Sequence, residues 1–213
     1  MKILLYQLWS FIFLSSCGQI AANKNVNQIK STRVLIDTCD DPDAGVNCCF
    51  VNMPTNLTST MNIVTQKEPG EKLSISGTIF KADGKTPYPN IIIYAYHTDT
   101  KGYYSKTGKE TGFQKWHGRL HGWCKTDING NYKINSIRPA RYPGNNIPAH
   151  IHAAIINKQG KELISDFVFK DDNLVNEQYL KSVASMVGGT GVVKVIKSKN
   201  GIWIGQRNII LTR

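Results

Sequence analysis

Residues 33–213 of this 213-residue chain read as one all-β domain, a sandwich or barrel of many short antiparallel strands with little helix. Three observations predict it. Apolar and polar residues alternate over short runs, Gly-containing turn signals separate those runs, and only "NEQYLKSVASM" at 176–186 has a helical pattern. With no internal repeat and no low-complexity segment, a single domain is the economical division for this length.

The elements follow in order. "KLSISGTIF" at 72–80 alternates, so that Leu73, Ile75 and Ile79 share one face. "NIIIYAYH" at 90–97 is an apolar run of the length of a buried strand. "KTDINGNYKINSI" at 125–137 carries Asn129-Gly130 between alternating segments, a strong hairpin signal. "HIHAAIINKQGKELISDFVF" at 150–169 folds back at Lys158–Gly160, and "VVKVIKSKNGIWIGQRNIIL" at 192–211 does so at Asn200-Gly201.

The first residues are of another kind. "MKILLYQLWSFIFLSSC" has one basic residue, Lys2, an apolar run, and Ser15 and Ser16 before Cys17, which is signal-peptide architecture too short for a comfortable membrane span. The quartet "LSSC" resembles the lipobox of bacterial lipoproteins. That resemblance implies a signal peptide at 1–16, lipidation of Cys17, a polar tether at 17–32, and a domain anchored to a bacterial membrane, in the periplasm or at the cell surface. Export to an oxidising compartment makes Cys39, Cys48, Cys49 and Cys124 readable as two disulfides. A strained bond between neighbours Cys48 and Cys49 is set aside, so that each pairs with either Cys39 or Cys124. The formal charge of +11 comes from Lys and Arg scattered without a dense basic run. This reads as a solvated basic surface rather than a nucleic-acid site, with a slight preference for an anionic small substrate.

Chemistry concentrates in "SIRPARYPGNNIPAHIHAAII" at 136–156. In a strand, His150 and His152 point one way while Ile151, Ala153 and Ile155 point the other. Tyr142 lies eight residues before His150, its backbone restricted by Pro139 and Pro143. Upstream, "YHTDTKGYYSKTG" offers Tyr103 and Tyr104 after a buried strand, at a bend eased by Gly102. A phenol is a poor ligand for divalent ions at neutral pH, whereas a hard, highly charged cation holds it as phenolate. Two tyrosinates with two imidazoles select ferric iron over copper or zinc.

These residues resemble the intradiol ring-cleavage dioxygenases, the family of catechol and protocatechuate dioxygenases. The similar region runs from about 72 to 171 and includes Thr126, Asp127, Gly130, Tyr132, Ile137, Pro139, Tyr142, Pro143 and the strand opening "PAHIH" at 148–152. "CCFVNMP" at 48–54 also looks like the cysteine segment of distant, often exported members. The resemblance implies a β-sandwich of that type with long loops. It makes Tyr104 and His150 equatorial and Tyr142 and His152 axial ligands of Fe(3+), with Tyr103 pointing away. It implies a catechol-type substrate cleaved with O2 between its hydroxylated carbons to a cis,cis-muconate-type product, with Tyr142 leaving the metal as a base.

Two positions depart from the pattern: Ile147 stands where well-studied members carry an arginine, with Arg138 or Arg141 as substitutes, and Asp166 stands where they carry a glutamine. His117 and His121, in "WHGRLHGW", read as surface or pocket-wall residues, and Trp116, Trp123 and Tyr88 as core. The alternative is a non-enzymatic exported β-sandwich binding module in which the histidines are incidental.

Overall fold

A computed structural model describes residues 39–211. The expected signal peptide, Cys17, the expected tether and the expected domain boundary at residue 33 lie outside the described residues. The strands are β1 (Thr60–Asn62), β2 (Lys72–Phe80), β3 (Ile92–His97), β4 (His121–Lys125), β5 (Asn131–Ile137), β6 (His150–Asn157), β7 (Gly160–Phe169), β8 (Val192–Val193), β9 (Val195–Lys197), β10 (Trp203–Gln206) and β11 (Ile209–Ile210). Helices are short: a 3-10 turn at Val46–Phe50, α1 (Gln114–His117) and α2 (Glu177–Val183). The expected helix is α2, whose N-cap Asn176 accepts a hydrogen bond from the Tyr179 amide at 3.0 Å.

Two sheets form, ordered β1-β5-β2-β10-β9, with β11 also pairing β2, and β4-β3-β6-β7-β8. The central ladders are antiparallel as expected: β2 with β5, β4 with β3, β3 with β6, and β6 with β7. Four pairings are parallel instead, β1 with β5, β10 and β11 with β2, and β8 with β7. Each joins a short strand to a partner far from it in the sequence, a layout that no local turn signal specifies.

The Asn129-Gly130 turn does not make a hairpin. β4 before it pairs with β3, whereas β5 after it pairs with β2, so the turn is a corner between sheets. Side chains hold that corner: Asp127 accepts from the amides of Asn129 and Asn131 at 2.9 and 2.8 Å, and Thr126 Oγ1 accepts from Ile91 N and donates to Tyr88 O. The other two fold-backs are antiparallel pairs as expected, β6 with β7 and β9 with β10.

One core lies between the sheets, where Ile75 and Ile134 from one meet Ile93, Ile151, Ile155 and Phe167 from the other, all fully buried. Burial of each such side chain contributes roughly 1.5–3 kcal/mol. His97 also points inward, its Nδ1–H donating to Thr98 O at 2.7 Å and its Nε2 accepting from Ser136 Oγ of the other sheet at 2.6 Å. A second apolar cluster covers the outer face of the β4-β3-β6 sheet, where Cys48, Cys49, Phe50 and Phe113 pack on Tyr94 and Ala154.

This two-sided burial explains the cysteines. Cys39 and Cys48 are bonded, one of the pairings left open by the sequence. The second expected bridge does not form, because Cys124 faces the inter-sheet core while Cys49 sits in the outer cluster, across the sheet from it. Burial pushes the Cys49 thiol up to about 11 and the Cys124 thiol to about 12. Non-reducing peptide mapping should therefore recover Cys39–Cys48 and leave Cys49 and Cys124 as thiols that alkylate only after unfolding; a Cys49–Cys124 peptide would contradict the fold.

Burial also holds His97 neutral, with its pKa pushed down to about 4. The unfolded chain takes up this proton near pH 6.5 and the folded chain only near 4, so stability is full above the upper value and is lost as pH falls between them, by about 1.4 kcal/mol per pH unit. Urea titrations at pH 7, 6 and 5 should show that decline, with a shallower slope in His97→Asn; parallel slopes would remove His97 as its source.

Candidate metal centre

The site is built on the outer face of the second sheet, on the side of β6 that does not enter the core. Ile151 is fully buried between the sheets, and its neighbours His150 and His152 project outward together. Two loops bring the tyrosines to them. The loop after β3 is tied to the loop after β5 by Thr98 Oγ1 donating to Ala140 O at 2.7 Å and Ala140 N donating to Asp99 O at 3.1 Å. At their contact stands Gly102, with φ +84°, where a Cβ would lie 2.0 Å from Arg141 O. Only glycine permits that approach. In this way Tyr104 and Tyr142, 38 residues apart, bring their hydroxyls into contact. Tyr103 turns outward and is 58% exposed.

The four side chains converge. Tyr142 Oη lies 2.9 Å from His152 Nε2 and 3.2 Å from His150 Nε2, and the two Nε2 atoms are 3.0 Å apart. Each histidine is fixed through its other nitrogen: His150 Nδ1–H donates to Pro148 O at 2.6 Å, and His152 Nδ1–H donates to Asp166 Oδ1 at 3.0 Å. Both Nε2 atoms thus face the same gap, where the Tyr142 hydroxyl lies within hydrogen-bond reach of each. Burial pushes the His150 pKa down, with neighbouring His152 adding to the effect, so no proton from His150 fills the gap. The spacing suits a metal cation, since two donors about 2.1 Å from one ion and at right angles are about 3.0 Å apart. Burial raises the phenols of Tyr104 and Tyr142 above their ordinary value, so a nearby positive charge is what would let them ionise.

Tyr142 and His152, implied as the axial pair, stand in hydrogen-bond contact, Oη 2.9 Å from Nε2.

Tyr94 and Tyr96 escaped the sequence reading. Tyr96 pairs with His152 across β3 and β6, and their rings stack at 4.6 Å. On its other face Tyr96 stacks with His117 at 3.7 Å, nearly parallel. His117 accepts the Tyr94 hydroxyl at Nδ1, 2.9 Å away, and burial pushes its pKa down to about 3. It is a wall residue, as is His121, which bonds Gly118 O at 2.8 Å. Tyr96 was visible as an outward residue of a strand; that it lies opposite His152 needed the register. Among the described residues His150, His152 and Asp166 gather their donor atoms within 4.8 Å. Asp166 meets the far nitrogen of His152, behind the ring. Neither substitute arginine enters the site, because Arg138 is paired with Asp171 and Arg141 with Asp172. Ile147 is 43% exposed.

Comparison with known proteins bears on family and fold. A family model described as "Dioxygenase" matches residues 49–200. Catechol 1,2-dioxygenase of Acinetobacter baylyi is 36% identical over 102 residues, 39% of this chain and 31% of that protein. The protocatechuate 3,4-dioxygenase beta chain of Burkholderia cepacia is 28% identical over 130 residues, 57% of this chain and 55% of that one. The chain thus spans about a third to a half of these relatives. Among solved structures, catechol 1,2-dioxygenase from Acinetobacter sp. ADP1 superposes with a TM-score of 0.54 at 25% identity, covering 73% of this chain and 57% of that one. The dioxygenase domain of a carbohydrate-binding fusion protein from Streptomyces sp. SirexAA-E gives 0.53 at 21% identity, covering 75% and 91%. Matched by the family model over most of its length and built on the same fold, the chain belongs to the intradiol ring-cleavage dioxygenase family.

Proposed function

We propose that this protein is a ferric-iron dioxygenase that opens a catechol-type ring between its two hydroxylated carbons with O2, giving a cis,cis-muconate-type product. The observation that carries this is the convergence of two imidazole Nε2 atoms 3.0 Å apart with two phenol hydroxyls. A non-enzymatic binding module gives no reason for two imidazoles and two phenols from three segments to converge on one point. Tyr104, Tyr142, His150 and His152 would hold Fe(3+). Bound there, ferric iron withdraws electron density from a catecholate and makes its ring reactive towards O2.

The chain's own groups do the rest. Tyr142, as phenolate, would take a proton from the incoming catechol, and Tyr104 would remain a phenolate. His150 and His152 stay fixed by Pro148 and Asp166. The face of Tyr96 lies beside His152 and offers a wall against which an aromatic ring can stack.

Charge narrows the substrate class and reverses the preference suggested by composition. Arg119, Arg138 and Arg141 are each engaged by a carboxylate, Glu68, Asp171 and Asp172. Asp166 adds a carboxyl group at the site itself. We therefore assign catechols without a carboxylate as the better substrates.

The signal-peptide pattern and Cys17 support a lipid-anchored, exported protein, and the Cys39–Cys48 bond suits an oxidising compartment. Cys17→Ser should shift the protein from the detergent phase to the aqueous phase on partition; wild type found wholly in the aqueous phase would dismiss the anchor.

Aerobically iron-loaded protein should be red to brown from phenolate-to-iron charge transfer. Tyr104→Phe should change the colour and abolish turnover. Tyr142→Phe should keep iron yet lose turnover, and His150→Ala should lose metal affinity by about 10–100-fold or more. Oxygen uptake should be faster with catechol than with protocatechuate. A colourless protein that prefers zinc, or a Tyr103→Phe variant that bleaches while Tyr104→Phe does not, would refute the site.

A further inference from the structure

The two histidines are held unequally. His150 Nδ1–H meets a neutral acceptor, Pro148 O, whereas His152 Nδ1–H meets a carboxylate, Asp166 Oδ1, at 3.0 Å. That carboxylate is delivered by a distortion of the sheet. Ile151 pairs with Phe167 and Ala153 with Ile164, so His152 alone faces two residues, Ser165 and Asp166. This two-against-one bulge reverses the alternation along β7: Ile164 before it and Phe167 after it both enter the core. Asp166 is left on the outer face behind His152.

The bulge is held by a buried cation with no other evident task. Arg207 is 5% exposed; its guanidinium donates to Ser165 O at 3.0 Å, Asp166 O at 3.3 Å and Gly188 O at 3.2 Å, reaches Ser165 Oγ, and lies over the Phe167 ring. The segment before β8 closes the other side, with Ser165 N donating to Val187 O and Val168 N to Gly191 O. A Cβ at Gly191 would lie 1.9 Å from Asp166 O. So much support for one irregular backbone step fixes where a single side chain points.

We propose that Asp166 is a positioning residue for His152: its carboxylate orients the imidazole through Nδ1–H and strengthens Nε2 as a donor to the bound metal. The proposal rests on the metal-centre reading above. A carboxylate accepting from an imidazole N–H draws that proton towards itself and leaves the opposite nitrogen more basic. His150, held by a carbonyl, is the weaker donor of the pair. A glutamine at position 166 would offer the same kind of hydrogen bond without the charge.

Asp166→Asn separates charge from shape, because it keeps an acceptor oxygen in place. The readouts are ferric and zinc affinity, the phenolate-to-iron band, the reduction potential of the iron-loaded protein, and the melting temperature of the metal-free protein. Asp166→Asn should lower affinity for both metals by about 10–100-fold, move the band to longer wavelength and raise the potential, while the metal-free melting temperature stays within a degree or so. Asp166→Leu, lacking any acceptor, should lose more affinity. Affinities within about twofold of wild type, with an unshifted band, would overturn the proposal, as would a variant that merely melts earlier when metal-free. A wild type that takes no ferric iron would sink the iron assignment alone, since the order of zinc affinities still measures what Asp166 does to His152.

Discussion

The pleat of β6 is the constraint on which the site depends. Ile151, Ala153 and Ile155 are locked into the core between two sheets, so His150 and His152 have no choice of face. A slip of one residue would send both imidazoles into the apolar core and three aliphatic side chains to the surface, at a cost of several kcal/mol of lost burial. Because β6 is central, with β3 on one side and β7 on the other, its register is set twice over. The 3.0 Å between the two Nε2 atoms is the consequence of that rigidity.

The tyrosines come from loops, and loops need other restraints. Here they are hydrogen bonds between the loops and ion pairs at their bases: Arg119 with Glu68 beside the Tyr104 loop, and Arg141 with Asp172 beside the Tyr142 loop. Asp172 also accepts from Ala149 N, which ties the Tyr142 loop to the start of β6. Arginines spent in this way on positioning are not free to meet a charged substrate. Loop order and substrate charge preference are thus two results of the same pairings.

Over the site's flank lies an aromatic layer in which His117, Tyr96 and His152 stack in sequence. Burial keeps His117 neutral, so it adds surface without adding charge beside the imidazoles. The segment containing the Cys39–Cys48 bond packs on the same outer face, against Tyr94 and Ala154. Closing a loop of this length stabilises by roughly 2–3 kcal/mol in a chain-entropy account.

By itself the sequence determined the longer strands, two of the three expected fold-backs, the single helix of any length, and the four convergent side chains, because each is written in local alternation or in residue type. It also marked Asp166 as out of pattern. Tertiary structure alone decided that Asn129-Gly130 turns a corner between sheets, since a turn's chemistry fixes its shape and not the partners of its strands. It decided that Cys49 and Cys124 stay apart, because two residues on opposite faces of a sheet cannot meet however suitable their spacing. It matched Arg138 and Arg141 with carboxylates, placed Tyr96 opposite His152, and used a bulge held by Arg207 to turn Asp166 towards His152. These are contacts between segments far apart in the chain, and a local pattern carries no information about which distant surface will lie against it.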